Sequence, residues 1–176
     1  SSDLSSPAPS NHLCASFSTP SKQRYSPPTI SSGVTAQGAT EATLSGLVTA
    51  GTVTFDLKGS NGTAVTIGAT VSSTTDLSAL TTAINAQSAN TGIFAVGNGA
   101  SITLRNEAGE DIQIANFNNT AGAGGTISLT GRDAFSPLAT SPAVGAAAVL
   151  IPAGNDSSTV GGQVKFGSSS GYTVTT

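Results

Sequence analysis

The sequence predicts an α+β fold that is predominantly β, built of antiparallel hairpins with one short helix packed on the sheet and a Pro-rich extended N-terminal segment. Three observations predict it. From Gly33 onward apolar residues alternate with polar ones between Gly and Asn punctuation, the pattern of half-buried strands. One stretch near residue 80 instead spaces its apolar residues by three and four, the helical period. Residues 1–30 do neither, and they hold Pro7, Pro9, Pro20, Pro27 and Pro28 of the eight prolines.

Each segment follows from local chemistry. Proline removes a backbone donor and fixes φ, so residues 1–30 read as an extended Pro/Ser-rich segment. Val53, Phe55 and Leu57 alternate with Thr54 and Asp56, an Asn-Gly turn signal follows in Gly59-Ser60-Asn61-Gly62, and Val65, Ile67 and Ala69 alternate again, which predicts a first hairpin. The helix is predicted over about Asp76 to Gln87, where Leu77, Leu80, Ala83 and Ile84 share a face. Ser73-Thr74-Thr75-Asp76 has the form of a capping box, and Asn90-Thr91-Gly92 supplies residues that tolerate left-handed backbone at the other end. A strand over Ile93 to Val96 comes next. A second hairpin is then predicted, with Ile102 and Leu104 opposite Ile112 and Ile114 across the polar turn Asn106 to Asp111. Shorter strands are expected over Thr126 to Thr130, Ala147 to Ile151, Gln163 to Phe166 and Tyr172 to Thr175. The organisation expected is thus an extended segment over 1–30, a β-rich domain over 31–132, and a further β region over 133–176 that joins the same domain or forms a small second lobe.

Composition narrows the chemistry. Charged residues are 9% of the 176 and aromatics 5%, with no Trp or Met. Ordinary domains carry about 25% charge, so side chains suited to catalysis are scarce. Net charge is −3, and Lys22, Arg24, Lys58, Arg105, Arg132 and Lys165 stand singly, with no basic stripe for nucleic acid. Cys14, the one cysteine, excludes an internal disulfide. The longest apolar run, Ala146 to Ile151, falls far short of the ~20 residues that span a bilayer, so no membrane insertion is expected.

Candidate reactive residues fare poorly. His12 stands alone in the Pro-rich segment with only Asp3 near it, and Cys14 lacks an electropositive setting. Glu107, Glu110 and Asp111 lack the alternating oxygen ligands of a calcium loop and read as a solvated turn. Gly122-Ala123-Gly124-Gly125 has no phosphate-loop Lys or Ser after it and reads as a flexible connection. The sequons at Asn61, Asn118 and Asn155 are no more than this composition yields by chance. The expectation is a non-enzyme with no catalytic, cofactor-binding or metal residue. Dense Ser and Thr, as in Ser72 to Thr75 and Ser168 to Ser170, offer acceptor hydroxyls for O-linked glycans.

The helix and its neighbours carry a resemblance. Asp76-Leu77-Ser78-Ala79-Leu80-Thr81-Thr82-Ala83-Ile84-Asn85-Ala86, preceded by Phe55-Asp56-Leu57 and followed by Gly92 to Val96 and Ile102-Thr103-Leu104, resembles the bacterial flagellin hook IN motif. The motif takes its name from an Ile-Asn pair, here Ile84-Asn85, and the likeness covers about residues 53–117. It occurs in the outer, variable domains of flagellins and in flagellar cap and hook-associated proteins. The resemblance implies an extracellular structural component of the flagellar filament, serving motility, with other flagellin subunits as partners in a homopolymer and export that uses no cleaved N-terminal signal. The long heptad-patterned helices that polymerise such proteins have no counterpart in these residues, so the likeness is to an outer domain alone. Structural-motif residues are then Asp76, Leu77, Leu80, Ile84 and Asn85, with Asn85 expected either to hydrogen-bond a local backbone group, as in the following loop, or to face solvent from the helix. The alternatives are a flagellar cap or hook-associated domain, and a carbohydrate-binding or adhesive β module of a surface or phage-tail protein. Against the last, Tyr25, Tyr172 and the six Phe do not cluster in the sequence.

Overall fold

Strand β1 (Val34–Ser45) organises the molecule. In the computed structural model, which describes residues 34–137 and 141–168, β1 is buried without a break from Ala39 to Leu44 because other strands flank it on both sides. Its second half pairs with β5 (Ser101–Asn106) on one side and β7 (Ile127–Arg132) on the other. β4 (Ile93–Asn98) adds beyond β5 and β8 (Ala148–Leu150) beyond β7, giving the order β4-β5-β1-β7-β8. The first half of β1 pairs with β10 (Gln163–Ser168), from Ala39 opposite Gln163 to Val34 opposite Ser168.

A second sheet has the order β3-β2-β6-β9, with β2 at Gly51–Lys58, β3 at Val65–Val71, β6 at Ile112–Asn119 and β9 at Ser158–Val160. All pairings are antiparallel. The inward rows of both sheets meet in one apolar cluster: Leu44, Leu104 and Leu129 from the first, Phe55, Ile67, Ile114 and Phe117 from the second. Period-two alternation produces this, since every second side chain of each strand points to the shared interior.

Helix α1 (Ser78–Ala86) and the single turn α2 (Ser88–Thr91) connect β3 to β4. α1 packs against β3 and β4, which are edge strands of the two different sheets, so the helix closes one side of the pair. The expected helix therefore exists, two residues shorter at its N-terminal end. Gly92, left-handed at φ 68°, ends the helical segment as its composition suggests.

The expected first hairpin forms, with Val53 opposite Ala69, Phe55 opposite Ile67 and Leu57 opposite Val65. The second is a correction: Ile102 and Leu104 do not oppose Ile112 and Ile114. β5 belongs to the first sheet and β6 to the second, and residues 107–111 cross between them. The hairpin partner of β5 is β4, turned at Gly99-Ala100 with Gly99 at φ 60°, a two-residue hairpin with glycine in its first position. Alternation decides which face a strand buries but not which strand lies beside it, and both pairings bury the same isoleucines.

β6 also carries a bulge. Thr54 faces Asn118 but Asp56 faces Ala115, so two residues of β6 oppose Phe55 alone. Asn116, at φ 52°, absorbs the extra residue, and the phase shift lets Ile112, Ile114 and Phe117 all point inward. Beyond residue 132, β8 joins β7, β9 joins β6 and β10 joins β1. Gly122–Gly124, expected as a loose connection, forms one 3₁₀ turn. Residues 1–33, with His12 and Cys14, and the strand expected over Tyr172 to Thr175 lie outside the described residues.

Candidate functional site

The five motif residues converge where α1 meets the sheet edges. Leu77, Leu80 and Ile84 have no measurable exposure and belong to the common core. Three-and-four spacing puts them on one helical face, and burying each is worth about 2 kcal/mol. The expected capping box is not formed. Ser73 instead closes a tight turn, accepting the Asp76 N–H on its carbonyl at 3.2 Å and the Thr75 N–H on its Oγ at 3.2 Å. Asp76, just before the helix, accepts the Ser78 N–H on Oδ1 at 3.0 Å. That backbone bond, with the Ser78 side chain assisting, holds the Asp76 carboxyl below its ordinary value. The Leu77 N–H donates to Gly99 O at 2.9 Å, which ties the helix start to the β4–β5 turn.

Asn85 makes the most specific contact. Its Nδ2 donates to Ala95 O at 2.8 Å, and its Oδ1 accepts the Ala95 N–H at 2.8 Å. Both groups lie on the side of β4 away from β5, where β4 is an edge. One side chain therefore does for Ala95 what a neighbouring strand would have done, and it blunts an edge that could otherwise pair with another chain. The bond goes to a strand, not to the following loop. Gly97 shows how close the helix lies: a Cβ there would sit 2.8 Å from Thr81 Oγ1.

A second constellation, absent from the sequence reading, occupies the outer face of the first sheet. Register lines up Phe94, Arg105, Glu41 and Arg132 in one row across β4, β5, β1 and β7. Glu41 is 1% exposed, and its Oε2 accepts Arg105 Nη1 at 3.0 Å. Arg105 also donates from Nε to Glu107 Oε1 at 2.5 Å and from Nη1 to Ala134 O at 2.9 Å. The Glu107 hydrogen bond, ahead of the Glu41 contribution, raises the guanidinium's affinity for its proton. Arg132 donates from Nε to Thr43 Oγ1 at 3.1 Å and from Nη1 to Ser141 O at 3.0 Å, tying Ser141 to the sheet. Glu107, expected as part of a solvated turn, is thus engaged through Arg105. Asp111 accepts the Gly162 N–H at 3.0 Å.

Among the described residues no three His, Cys, Asp or Glu side chains lie together as a metal-binding group. Nothing in the local sequence around Glu41, Arg105 or Arg132 marks them, because only strand register brings them together. Compared with models of known protein families and with curated proteins, the sequence matches none.

Proposed function

We propose that this chain is a structural outer domain of the bacterial flagellar filament, held away from the filament core and contributing surface, not chemistry. The ladder partnership of Val34 with Ser168 carries the proposal. A domain displayed between two polymerising chain ends has to return the chain to the point where it left, and the β1–β10 ribbon does this.

Two further features support it. The Ile-Asn pair that gives the motif its name has a mechanical task, with Ile84 in the core and Asn85 bonded to the exposed edge of β4. The outer face of the second sheet presents Thr52, Thr54, Thr66 and Thr70, a hydrated surface with little charge that also offers hydroxyls for O-linked glycans.

Immunogold labelling tests the proposal, using antibody raised against residues 34–168 on cells that make the protein. Label along the length of the filaments is the expected result. Label confined to filament tips would indicate a cap protein and overturn the filament-subunit reading, and label elsewhere on the cell would remove the flagellar one altogether.

A further inference from the structure

The outer face of the first sheet holds a groove of about 170 Å³ whose lining includes Ser141 and Glu41, the latter with its charge matched by Arg105. Thr43 and Thr103 line it from β1 and β5, Asn98 and Ser101 from the β4–β5 turn, and Arg132 from β7. Arg132, Thr43 and Ser101 are oriented by bonds already made, and the groove keeps donors in reserve.

Arg132 uses Nε and one Nη1 proton on Thr43 and Ser141. Among the described residues it has no carboxylate within ion-pair distance, since Glu41 is turned to Arg105. Its guanidinium is half-buried, fixed in plane by two hydrogen bonds, and among the described residues nothing takes Nη2 or the second Nη1 proton. Thr43 is 8% exposed and accepts from Arg132, so its own hydroxyl proton remains to be given. The Thr103 hydroxyl and the Asn98 amide make no hydrogen bond among the described residues. Val96, the ladder partner of Thr103, is 57% exposed and lies outside the lining, which is almost wholly polar.

We infer that this groove binds a single carboxylate-bearing pyranose, a uronic acid, with its carboxylate on Arg132. A planar guanidinium with two adjacent free N–H groups matches a carboxylate, and a charge-assisted bond of this kind is the strongest available in the groove. Hydroxyl and amide donors around one cation suit ring hydroxyls, and a nearly all-polar lining suits a ligand that carries a hydroxyl on most of its carbons. The volume admits one ring. This binding activity is separate from the filament role proposed above and does not depend on it.

Titration of the uniformly ¹⁵N-labelled full chain with sodium D-glucuronate and, separately, sodium D-galacturonate tests it by two-dimensional NMR. Saturable shifts are expected at Arg132 Nε and at the Asn98, Ser101 and Thr103 amides with at least one uronate, at millimolar concentration. Glucose and acetate should bind at least tenfold more weakly. Equal binding of acetate would mean an adventitious anion only, equal binding of glucose would remove Arg132 from recognition, and no shift with either uronate to 50 mM would end the proposal. Arg132→Gln should weaken binding at least tenfold. Because Arg132 also holds Ser141, Thr103→Val, which removes no hydrogen bond, serves as the second variant and should weaken binding at least threefold with an unchanged spectrum elsewhere. Wild-type affinity in both variants would overturn the site.

Discussion

At the scale of single residues the two constellations differ in how they are encoded. Leu77, Leu80 and Ile84 announce themselves by spacing, and their complete burial follows from it. Leu80→Ala should destabilise by about 2–5 kcal/mol in urea unfolding, the usual cost of an emptied core site. Asn85 is legible only in part: its type suggests a backbone partner, but the partner's position on an edge strand depends on tertiary packing. Asn85→Asp keeps an acceptor for the Ala95 N–H and loses the donor to Ala95 O. It should cost about 1–2 kcal/mol in the same measurement. Glu41 and Arg105 were not legible at all, being 64 residues apart. Arg105→Ala leaves Glu41 buried without its cation and should cost about 3–5 kcal/mol, with Glu41→Gln in the same background recovering part of the loss.

At the scale of elements, periodicity finds strands and the helix, while pairing escapes it. The first hairpin was legible because a turn signal and matching alternation lie on both sides of it. The second is not, because residues 107–111 resemble a hairpin turn and instead carry the chain between sheets, while the turn itself falls at Gly99-Ala100. β1 showed no clean alternation around Thr40, Glu41 and Thr43, since a strand covered on both faces can bury polar side chains when each has partners. Turn and bulge aspartates give this level its pH dependence. Asp56 is held low by Thr66 and then Asn116, Asp76 by the Ser78 N–H, and Asp133 by the Phe135 N–H and then Ser136. A carboxyl with a lowered native pKa stabilises fully above its unfolded value near 3.8 and loses that contribution as pH falls through the native one. Thermal unfolding should therefore be flat in this respect above about pH 5 and shift to lower temperature below about pH 4, and Asp76→Asn should reduce the shift.

For the whole molecule, β8, β9 and β10 complete the two sheets from residues well beyond the stretch that the family resemblance covers. β9 has only three residues and no sequence signature, so its existence is dictated by the β6 edge it covers. Hydrogen exchange should divide the molecule accordingly. Amides of Glu41 to Leu44, flanked by strands on both sides, should exchange slowest, and those of Val34 to Gln37, in the exposed ribbon, much sooner. A mechanical property follows from the same ribbon. Val34 and Ser168 sit side by side at its outer end, so a pull separating them loads the rungs in turn from that end, as when a zipper opens, and not all together as in shear. The ribbon is consequently the soft joint of the molecule: under tension it would part and lengthen before the two-sheet body yields, and it would close again from the Ala39–Gln163 rung when the load drops.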